Sequence, residues 1–284
     1  MICDFRDVVK QSSQTNYALA AFNVFGYEDA AAVVEAAEEM NAPILLATNK
    51  LAIDHMPVDY WGMLLRQLAV NAKVPVSIHL DHAKSYEITA KAIQSGYTSV
   101  MYDGSHLPLE ENIRNTKEIA RMAHAFDVAV EGEVGQLSYQ DIPGNQTVYT
   151  NSDEALVFVQ QTNVDWLAVS VGTVQRMSAQ EASIQFELLD EIDYKVRTPL
   201  VIHGSTGIKD EDLERLVRTS VSKMNIGTAL RKAFGYSLQE EVQKAPHEYD
   251  RLKLFEKPIE MVKQEALRKL ELLGFKRAED KVIQ

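Results

Sequence analysis

Eight short apolar runs, separated by longer segments of helical character, are the feature that most constrains the fold of this 284-residue chain. Such alternation is typical of repeated βα units that build a parallel sheet. Eight units favour an α/β fold, the TIM (β/α)8 barrel, which commonly needs about 250 residues. An open doubly wound sheet is the alternative, but it rarely uses eight regularly spaced strands, and no Gly-x-Gly-x-x-Gly follows the first run. The runs are residues 18–22, 44–47, 76–80, 99–102, 129–133, 166–169, 200–202 and 223–226.

The segments between the runs supply the predicted helices. Residues 28–40 are rich in Ala and Glu, and residues 109–125 and 210–217 carry apolar residues at helical spacing. Residues 258–273 predict an additional C-terminal helix. We see neither a linker nor a shift in composition, so residues 1–284 are predicted to form a single barrel domain.

One long connection, residues 136–150, contains Pro143-Gly144-Asn145 and shows no periodicity. It is therefore predicted to be a mobile loop over one mouth of the barrel.

Charge and composition exclude several classes of partner. A net charge of −12 disfavours nucleic acid, which requires clustered Lys and Arg. The single cysteine, Cys3, cannot form an internal disulfide, and this fits a reducing compartment. The chain opens without a signal-peptide pattern and contains no run of about 18 apolar residues. We therefore expect a cytoplasmic protein that does not span a membrane.

Residues 78–82 place a carboxylate and an imidazole, Asp81 and His82, at the end of an apolar run. At the C-terminal end of a strand both can turn toward one pocket, where they can hold a metal and a proton. Further polar residues follow later runs, and because the ends of parallel strands meet at one edge, these are candidate partners. They are Asp103, Glu133, Gln175 and His203.

Six sequence blocks in order resemble the class II ketose-bisphosphate aldolases, the metal-dependent family that acts on fructose and tagatose bisphosphates. The likeness covers nearly the whole chain and implies a metal-dependent aldehyde lyase of carbohydrate metabolism. The blocks are Ala-Phe-Asn at 21–23, His-Leu-Asp-His at 79–82, the segment 98–108, Val-Glu-Gly-Glu-Val-Gly at 130–135, His-Gly-Ser-Thr-Gly at 203–207, and Lys-Met-Asn-Ile-Gly-Thr at 223–228.

The resemblance implies roles for individual residues. His82 and His203 match two of the family's three zinc-binding histidines, and Gln175 stands at the position of the third. Glu133 is a candidate substitute ligand, and the cofactor is expected to be Zn²⁺ or another divalent metal. Asp81 corresponds to the acid/base that serves the aldehyde oxygen. Asp141 falls where the family places the base that removes the substrate's proton, although the family's Gly-Gly is replaced by Ser-Tyr in this loop.

The same resemblance implies a sugar-phosphate substrate and a homo-oligomer, either a dimer or a tetramer. Phosphate is expected against backbone amides and hydroxyls at the mouths of the last strands. Arg176 replaces a family glycine and could grip a phosphate or carboxylate with its two-pronged guanidinium. The expected substrate-binding residues are Asn23, Gly172, Arg176, Gly204, Ser205, Thr206, Asn225, Gly227 and Thr228.

Three functional hypotheses follow. The first is a metal-dependent aldolase that cleaves or forms a phosphorylated ketose through an enediolate resembling that of dihydroxyacetone phosphate. The second is a catalytically altered or inactive homologue that binds a sugar phosphate or assists a paralogous subunit, which the changes at Gln175, Arg176 and the loop favour. The third keeps the barrel and metal for another enolate reaction, such as isomerisation or epimerisation.

Overall fold

The chain forms a closed barrel of eight parallel strands in sequential order, in which the first strand pairs with both the second and the eighth. The computed structural model describes residues 2–3, 5–12, 16–142, 144 and 146–276. The predicted (β/α)8 barrel is thereby confirmed, and each of the eight apolar runs is a strand. The strands are β1 Leu19–Asn23, β2 Ile44–Thr48, β3 Val76–Ala83, β4 Ser99–Tyr102, β5 Ala129–Val134, β6 Trp166–Val169, β7 Leu200–Ile202 and β8 Val221–Ile226.

Helices surround the barrel, and side-chain caps begin several of them. Asn49, Ser85 and Asn151 each accept hydrogen bonds from the backbone N–H groups of the helix that follows. None of the helices within the described residues is both long and apolar enough to cross a membrane. The helices are α1 Arg6–Ser12, α2 Tyr27–Met40, α3 Lys50–His55, α4 Val58–Asn71, α5 Tyr86–Gln94, α6 Leu109–His124, α7 Ser152–Thr162, α8 Phe186–Lys195, α9 Asp210–Leu216, α10 Thr228–Lys244 and α11 Arg251–Leu272.

The two C-terminal helices, α10 and α11, pack on each other, and α11 also packs on α2. The expected additional C-terminal helix is confirmed, but it begins at Arg251 rather than at Pro258. The Asp250 side chain accepts a hydrogen bond from the Leu252 N–H and so caps the helix about two turns before the apolar pattern becomes clear.

The barrel interior is mainly apolar toward its N-terminal end, apart from the hydrogen-bonded group of Ser77, His79 and Ser99, and it is polar at its C-terminal end. Strand residues alternate between the interior and the helices, so only every second side chain points inward. Phe5, just before α1, and Val9, within α1, pack against interior residues such as Leu19, Met101 and Trp166. The N-terminal opening is thus covered, and the functional groups are confined to the C-terminal mouth.

The long connection after β5 returns to the barrel before α7. Gln136 and Val148 exchange two backbone hydrogen bonds of 2.8 Å, and Tyr139 forms a parallel bridge with Gln175. Pro143 and Asn145 of the predicted mobile loop lie outside the described residues, and the mobility of the segment stays a prediction.

Candidate active site

An irregularity in β3 turns two consecutive residues toward the C-terminal mouth. The pairing of β3 with β4 shifts register between Leu80 and Ala83, and His82 adopts a φ of +52°. In a regular strand Asp81 and His82 would point to opposite faces. The irregularity instead brings His82 Nε2 within 3.9 Å of Asp81 Oδ1, and both side chains line the same cavity.

The two ring nitrogens of His82 contact different elements. Nδ1 lies 3.0 Å from Oδ2 of Asp103, which follows β4, and Nε2 lies 2.8 Å from Nδ1 of His203, which follows β7. Burial alone would lower the pKa of His82, but the carboxylates of Asp81, Asp103 and Glu133 outweigh it and raise the pKa to about 10. His82 therefore carries a proton on each nitrogen at neutral pH, and its Nε2–H donates to His203.

His203 is held from its other side. Its Nε2 donates to Oε1 of Glu131 over 2.8 Å, and Oε2 of Glu131 accepts from the Lys223 ammonium, also at 2.8 Å. Burial lowers the pKa of His203, so this imidazole is neutral with its lone pair on Nδ1. Glu131 is fully buried, but the Lys223 ammonium and His203 keep its pKa well below the usual range.

Asp81 accepts one hydrogen bond on each carboxylate oxygen. Nδ2 of Asn23 donates to Oδ2 over 2.8 Å, and Nδ2 of Asn225 donates to Oδ1 over 2.9 Å. Burial would raise the pKa of Asp81, but the nearby His82, His203 and Lys223 outweigh it and lower the pKa. Asp81 is thus an ionised carboxylate at the cavity wall, and such a group can accept a proton from a hydroxyl group bound beside it.

Glu133 is a buried carboxyl group whose Oε2 has no hydrogen-bond partner within the described part of the chain. Burial, together with the negative charge of Asp103, raises its pKa well above the usual value. Oε2 lies 3.8 Å from His82 Nδ1. An uncommitted buried oxygen beside an imidazole is the kind of donor that a divalent cation satisfies.

Two overlapping groups of donors could hold such a cation. One comprises Asp81, His82 and His203, and the other His82, Asp103 and Glu133; within each group the donor atoms lie within 4.8 Å of one another. Imidazole nitrogens that have given up their proton, combined with carboxylate oxygens, suit Zn²⁺ and related divalent metals. The residues present therefore fit a metal site, with His82 common to both groups.

The side-chain amide of Gln175 lies beside the His82 ring nitrogen that faces His203. Its Nε2 is 3.1 Å from His82 Nε2, and a 180° turn of the amide places the carbonyl oxygen there instead. The backbone around it is fixed by the loop, because Gln175 N–H donates to Ser138 O and Gln140 N–H donates to Gln175 O. The structure thus brings Gln175 to the position expected of a third ligand.

The opposite wall of the cavity has the character of an anion site. Gly204 has a φ of +72°, and a Cβ there would lie 2.8 Å from the Val174 carbonyl oxygen. The Ser205 hydroxyl donates to the backbone carbonyl oxygen of Asn225 over 2.5 Å, and this bond links the turn after β7 to β8. Gly227 precedes the first turn of α10, where backbone N–H groups lack partners within the helix. Arg231 also lines this wall and stacks on Phe25.

Asp141 and Arg176 bind each other. Arg176 Nη1 donates to Asp141 Oδ2 over 2.8 Å, and this bond holds the pKa of Asp141 below its usual value. The Asp141 side chain is 55% exposed and does not line the cavity, whereas Arg176 and Tyr139 do. Arg176 also stacks on the Tyr139 ring at 4.9 Å and has a left-handed φ of +59°.

The structure brings most of the predicted site residues together. Gly172, like Asp141, does not line the cavity. Its backbone has a φ of +110° and lies close to the Ser183 carbonyl oxygen, which indicates a structural role. Glu133 lies behind His82 rather than at the surface of the cavity. The expected residues that line it are Asn23, Asp81, His82, Gln175, Arg176, His203, Gly204, Ser205, Thr206, Asn225, Gly227 and Thr228.

Sequence reasoning did not single out Glu131 and Lys223 beneath the cavity, nor six of the residues that line it, which are Phe25, Asn49, Lys50, Leu51, Tyr139 and Arg231. Glu131 and Lys223 were detectable, because charged residues two positions before Glu133 and Asn225 share their inward strand face. Tyr139, in a segment without periodicity, and Arg231, on a helix of mixed polarity, gave no comparable signal.

Comparison with known proteins agrees with this geometry. A family model for class II fructose-bisphosphate aldolase matches residues 3–277. The crystal structure of the YdjI aldolase from Escherichia coli K12 shares 32% identity and a TM-score of 0.84, with 97% of this chain and 98% of that one covered. A fructose-bisphosphate aldolase from Campylobacter jejuni has a TM-score of 0.82 at 21% identity over 96% of this chain and 95% of that one, and so supports the fold. The chain therefore belongs to the class II fructose-bisphosphate aldolase family.

Proposed function

We propose that the protein is a divalent-metal-dependent aldolase that cleaves or forms a phosphorylated ketose. The observation that carries the proposal is the convergence of His82 and His203, 2.8 Å apart, beside the ionised carboxylate of Asp81. Family membership supports the aldehyde-lyase reaction class. We also propose that the enzyme is a homo-oligomer and that it is located in the cytoplasm.

His82 and His203 would hold the metal, with Gln175 as a further ligand. Glu133 lies on the Nδ1 side of His82, where it would serve a cation held together with Asp103. When bound, zinc or another divalent cation supplies Lewis-acid stabilisation for the charge that develops on the ketone oxygen. Asp103 and Glu131 orient the two imidazoles through the ring nitrogens that face away from this point.

Asp81 is proposed as the acid/base of the carbon–carbon bond step. In the cleavage direction, its carboxylate accepts the proton of the hydroxyl group on the carbon that becomes the aldehyde. The bond between this carbon and the ketose half then breaks, and its electron pair stays with that half as an enediolate. Asn23 and Asn225 hold the carboxylate in place for this transfer.

The phosphate is proposed to bind the wall formed by the turn after β7 and the start of α10. Backbone N–H groups there, with Gly204, Thr206, Gly227 and Thr228 around them, suit a phosphate that approaches the helix N-terminus. Arg231 and Arg176 add positive charge at the cavity, although the net charge of the chain is −12. Asp141 can deliver or remove the proton on carbon only after its ion pair with Arg176 opens.

The test is to supply the purified protein with zinc, cobalt or manganese and to assay phosphorylated ketoses for release of a triose phosphate. Product analysis by NMR separates cleavage from isomerisation or epimerisation. Absence of triose phosphate from every phosphoketose tested would refute the proposal.

A second candidate is a non-catalytic relative that binds a sugar phosphate or assists a paralogous subunit. The ion pair between Arg176 and Asp141 favours it, because this pair withholds the expected base from the cavity. Tight stoichiometric metal at His82 and His203 together with turnover would exclude this candidate.

A further inference from the structure

A chain of buried hydrogen bonds runs beneath the cavity and joins the two halves of the site. His203 Nε2 lies 2.8 Å from Glu131 Oε1, and Glu131 Oε2 lies 2.8 Å from the Lys223 ammonium. Lys223 in turn donates to Asn225 Oδ1 over 2.6 Å, and Asn225 Nδ2 donates to Asp81 Oδ1 over 2.9 Å. Lys223 therefore stands between a proposed metal ligand and the proposed acid/base.

An ammonium can only donate hydrogen bonds, so each neighbour of Lys223 must offer it an oxygen. Asn225 is thereby forced to turn its carbonyl toward Lys223 and its NH₂ group toward Asp81. If the amide turned by 180°, its oxygen would face the Asp81 carboxylate and its NH₂ group would face the ammonium, and both contacts would be repulsive. The ammonium of Lys223 and the carboxylate of Asp81 thus fix the orientation of Asn225 together.

The same logic applies on the other side. Glu131 uses Oε2 for Lys223 and keeps Oε1 for the imidazole of His203. A carboxylate only accepts, so His203 carries its proton on Nε2 and leaves the Nδ1 lone pair facing the cavity. This is the tautomer that a metal at Nδ1 requires.

We propose that Lys223 is a positioning residue for the reaction: through Asn225 it fixes the carboxylate of Asp81, and through Glu131 it fixes the tautomer and ring orientation of His203. The inference rests on the proposed function and names a residue on which both the metal side and the proton-transfer side depend. Lys223 does not line the cavity and is 0% exposed, so it acts only through its neighbours.

Burial of the charge argues against a purely structural role. Burying an ammonium away from water is energetically costly, and a protein with an apolar side chain of similar volume in its place is often as stable or more stable. The strand residues that pair with Lys223 on either side, Leu19 on β1 and Val201 on β7, are apolar and buried. A lysine in place of another apolar residue is explained by the orientation it imposes on its two neighbours.

The test compares Lys223→Met with Lys269→Met, which removes a second lysine buried to 2% exposure, on α11 and away from the barrel interior. Metal-free protein labelled with ¹⁵N is used to read the histidine tautomers by NMR. Cobalt(II) then serves as a spectroscopic probe of the site. We expect His203 in the Nε2–H form in the wild type and in Lys269→Met, and changed ¹⁵N shifts of the His203 ring in Lys223→Met, where the ammonium no longer holds Glu131 in place. Cobalt affinity should fall roughly 10- to 100-fold in Lys223→Met, with a changed visible spectrum.

Kinetics supply the second readout. Lys223→Met should lower kcat while KM stays near that of the wild type, and combination with Asn225→Ala should lower kcat less than the product of the single effects, since both act on Asp81. If Lys223→Met does not fold, Glu131→Gln takes its place as the test variant, because Gln has nearly the same shape as Glu. Wild-type ¹⁵N shifts of the His203 ring together with a wild-type cobalt spectrum in whichever of these variants folds would overturn the inference. If the wild type cleaves no phosphoketose, the proposed function fails, yet the NMR and cobalt measurements still decide the role of Lys223.

Discussion

His82 and His203 are separated by 121 positions in the chain, yet Nε2 of the first lies 2.8 Å from Nδ1 of the second. The outward nitrogen of each ring is bound to a carboxylate, Asp103 for His82 and Glu131 for His203. The two inward nitrogens are therefore aimed at one point, where a proton now bridges them. A divalent cation that binds there must displace this proton.

Metal binding is consequently expected to release about one proton at neutral pH. The pKa of His82 is raised to about 10, so metal-free protein holds the proton throughout the range from pH 6 to 8. In this range the apparent zinc affinity should rise about tenfold per pH unit. Calorimetry in buffers with different ionisation enthalpies measures the release directly. An affinity that does not change with pH would contradict the bridging proton.

Replacement of Gln175 by His should strengthen metal binding. The amide is 3.1 Å from His82 Nε2, so an imidazole at this position can add a third strong nitrogen ligand. We expect zinc affinity to rise at least about tenfold, which corresponds to ~1.4 kcal/mol. Gln94→His, which adds an imidazole at the exposed end of α5, is the matched control. Metal analysis of both variants beside the wild type checks this, and equal affinity in all three would mean that another side chain already fills the third position.

Much of this arrangement was predictable because it depends on where strands end. Asp81, His82, Asp103 and His203 each close an apolar run, and parallel strands place such residues at one edge. The partnership of Glu131 with Lys223 was not predictable, since β5 and β8 are not neighbours and meet only across the closed interior.

The loop contacts escaped prediction for another reason. The bridge between Tyr139 and Gln175 depends on the path of an aperiodic segment, for which neither hydrophobic period nor propensity gives a rule. Among the described residues of this segment, Tyr139 lines the cavity and the expected Asp141 does not.

Asp81→Asn should abolish most turnover without loss of metal. The amide retains the shape of the side chain but cannot accept a substrate proton, and we expect kcat/KM to fall by roughly 10²- to 10⁴-fold. Zinc content should stay near that of the wild type, because the two imidazoles are intact. Asp59→Asn, which removes a carboxylate paired with Lys91 on the outside of the barrel, should keep full activity. Loss of metal in Asp81→Asn would instead assign Asp81 to the metal site.

Gly172 is expected to matter for stability rather than for substrate contact. A Cβ at this position would lie 2.0 Å from the Ser183 carbonyl oxygen, and the φ of +110° is strained for any other residue. Gly172→Ala should therefore destabilise the fold by at least about 2 kcal/mol. Gly235→Ala, on α10 with no atom within 4 Å of the added carbon, should stabilise it by about 0.5–1 kcal/mol. Urea unfolding of both variants provides the comparison, and a neutral Gly172→Ala would refute this explanation.

The ion pair between Arg176 and Asp141 is expected to control the carbon-proton step. Each partner satisfies the other at 2.8 Å, and the bond lowers the pKa of Asp141, which makes it a weaker base. Arg176→Lys keeps the charge but loses the two-pronged geometry, whereas Arg176→Ala releases Asp141 entirely. If Arg176 also binds substrate, Arg176→Ala should raise KM, and Arg176→Lys should raise it less.

Exchange of the carbon-bound proton with solvent isolates the contribution of Asp141, because it requires no cleavage of the carbon–carbon bond. In deuterated buffer, NMR of dihydroxyacetone phosphate should show this exchange with the wild type and a slower rate with Asp141→Asn. Arg176→Ala should accelerate exchange per bound substrate, since the freed carboxylate is a stronger base. Unchanged exchange in Asp141→Asn would remove Asp141 from the mechanism and leave its bond to Arg176 as a support for the loop.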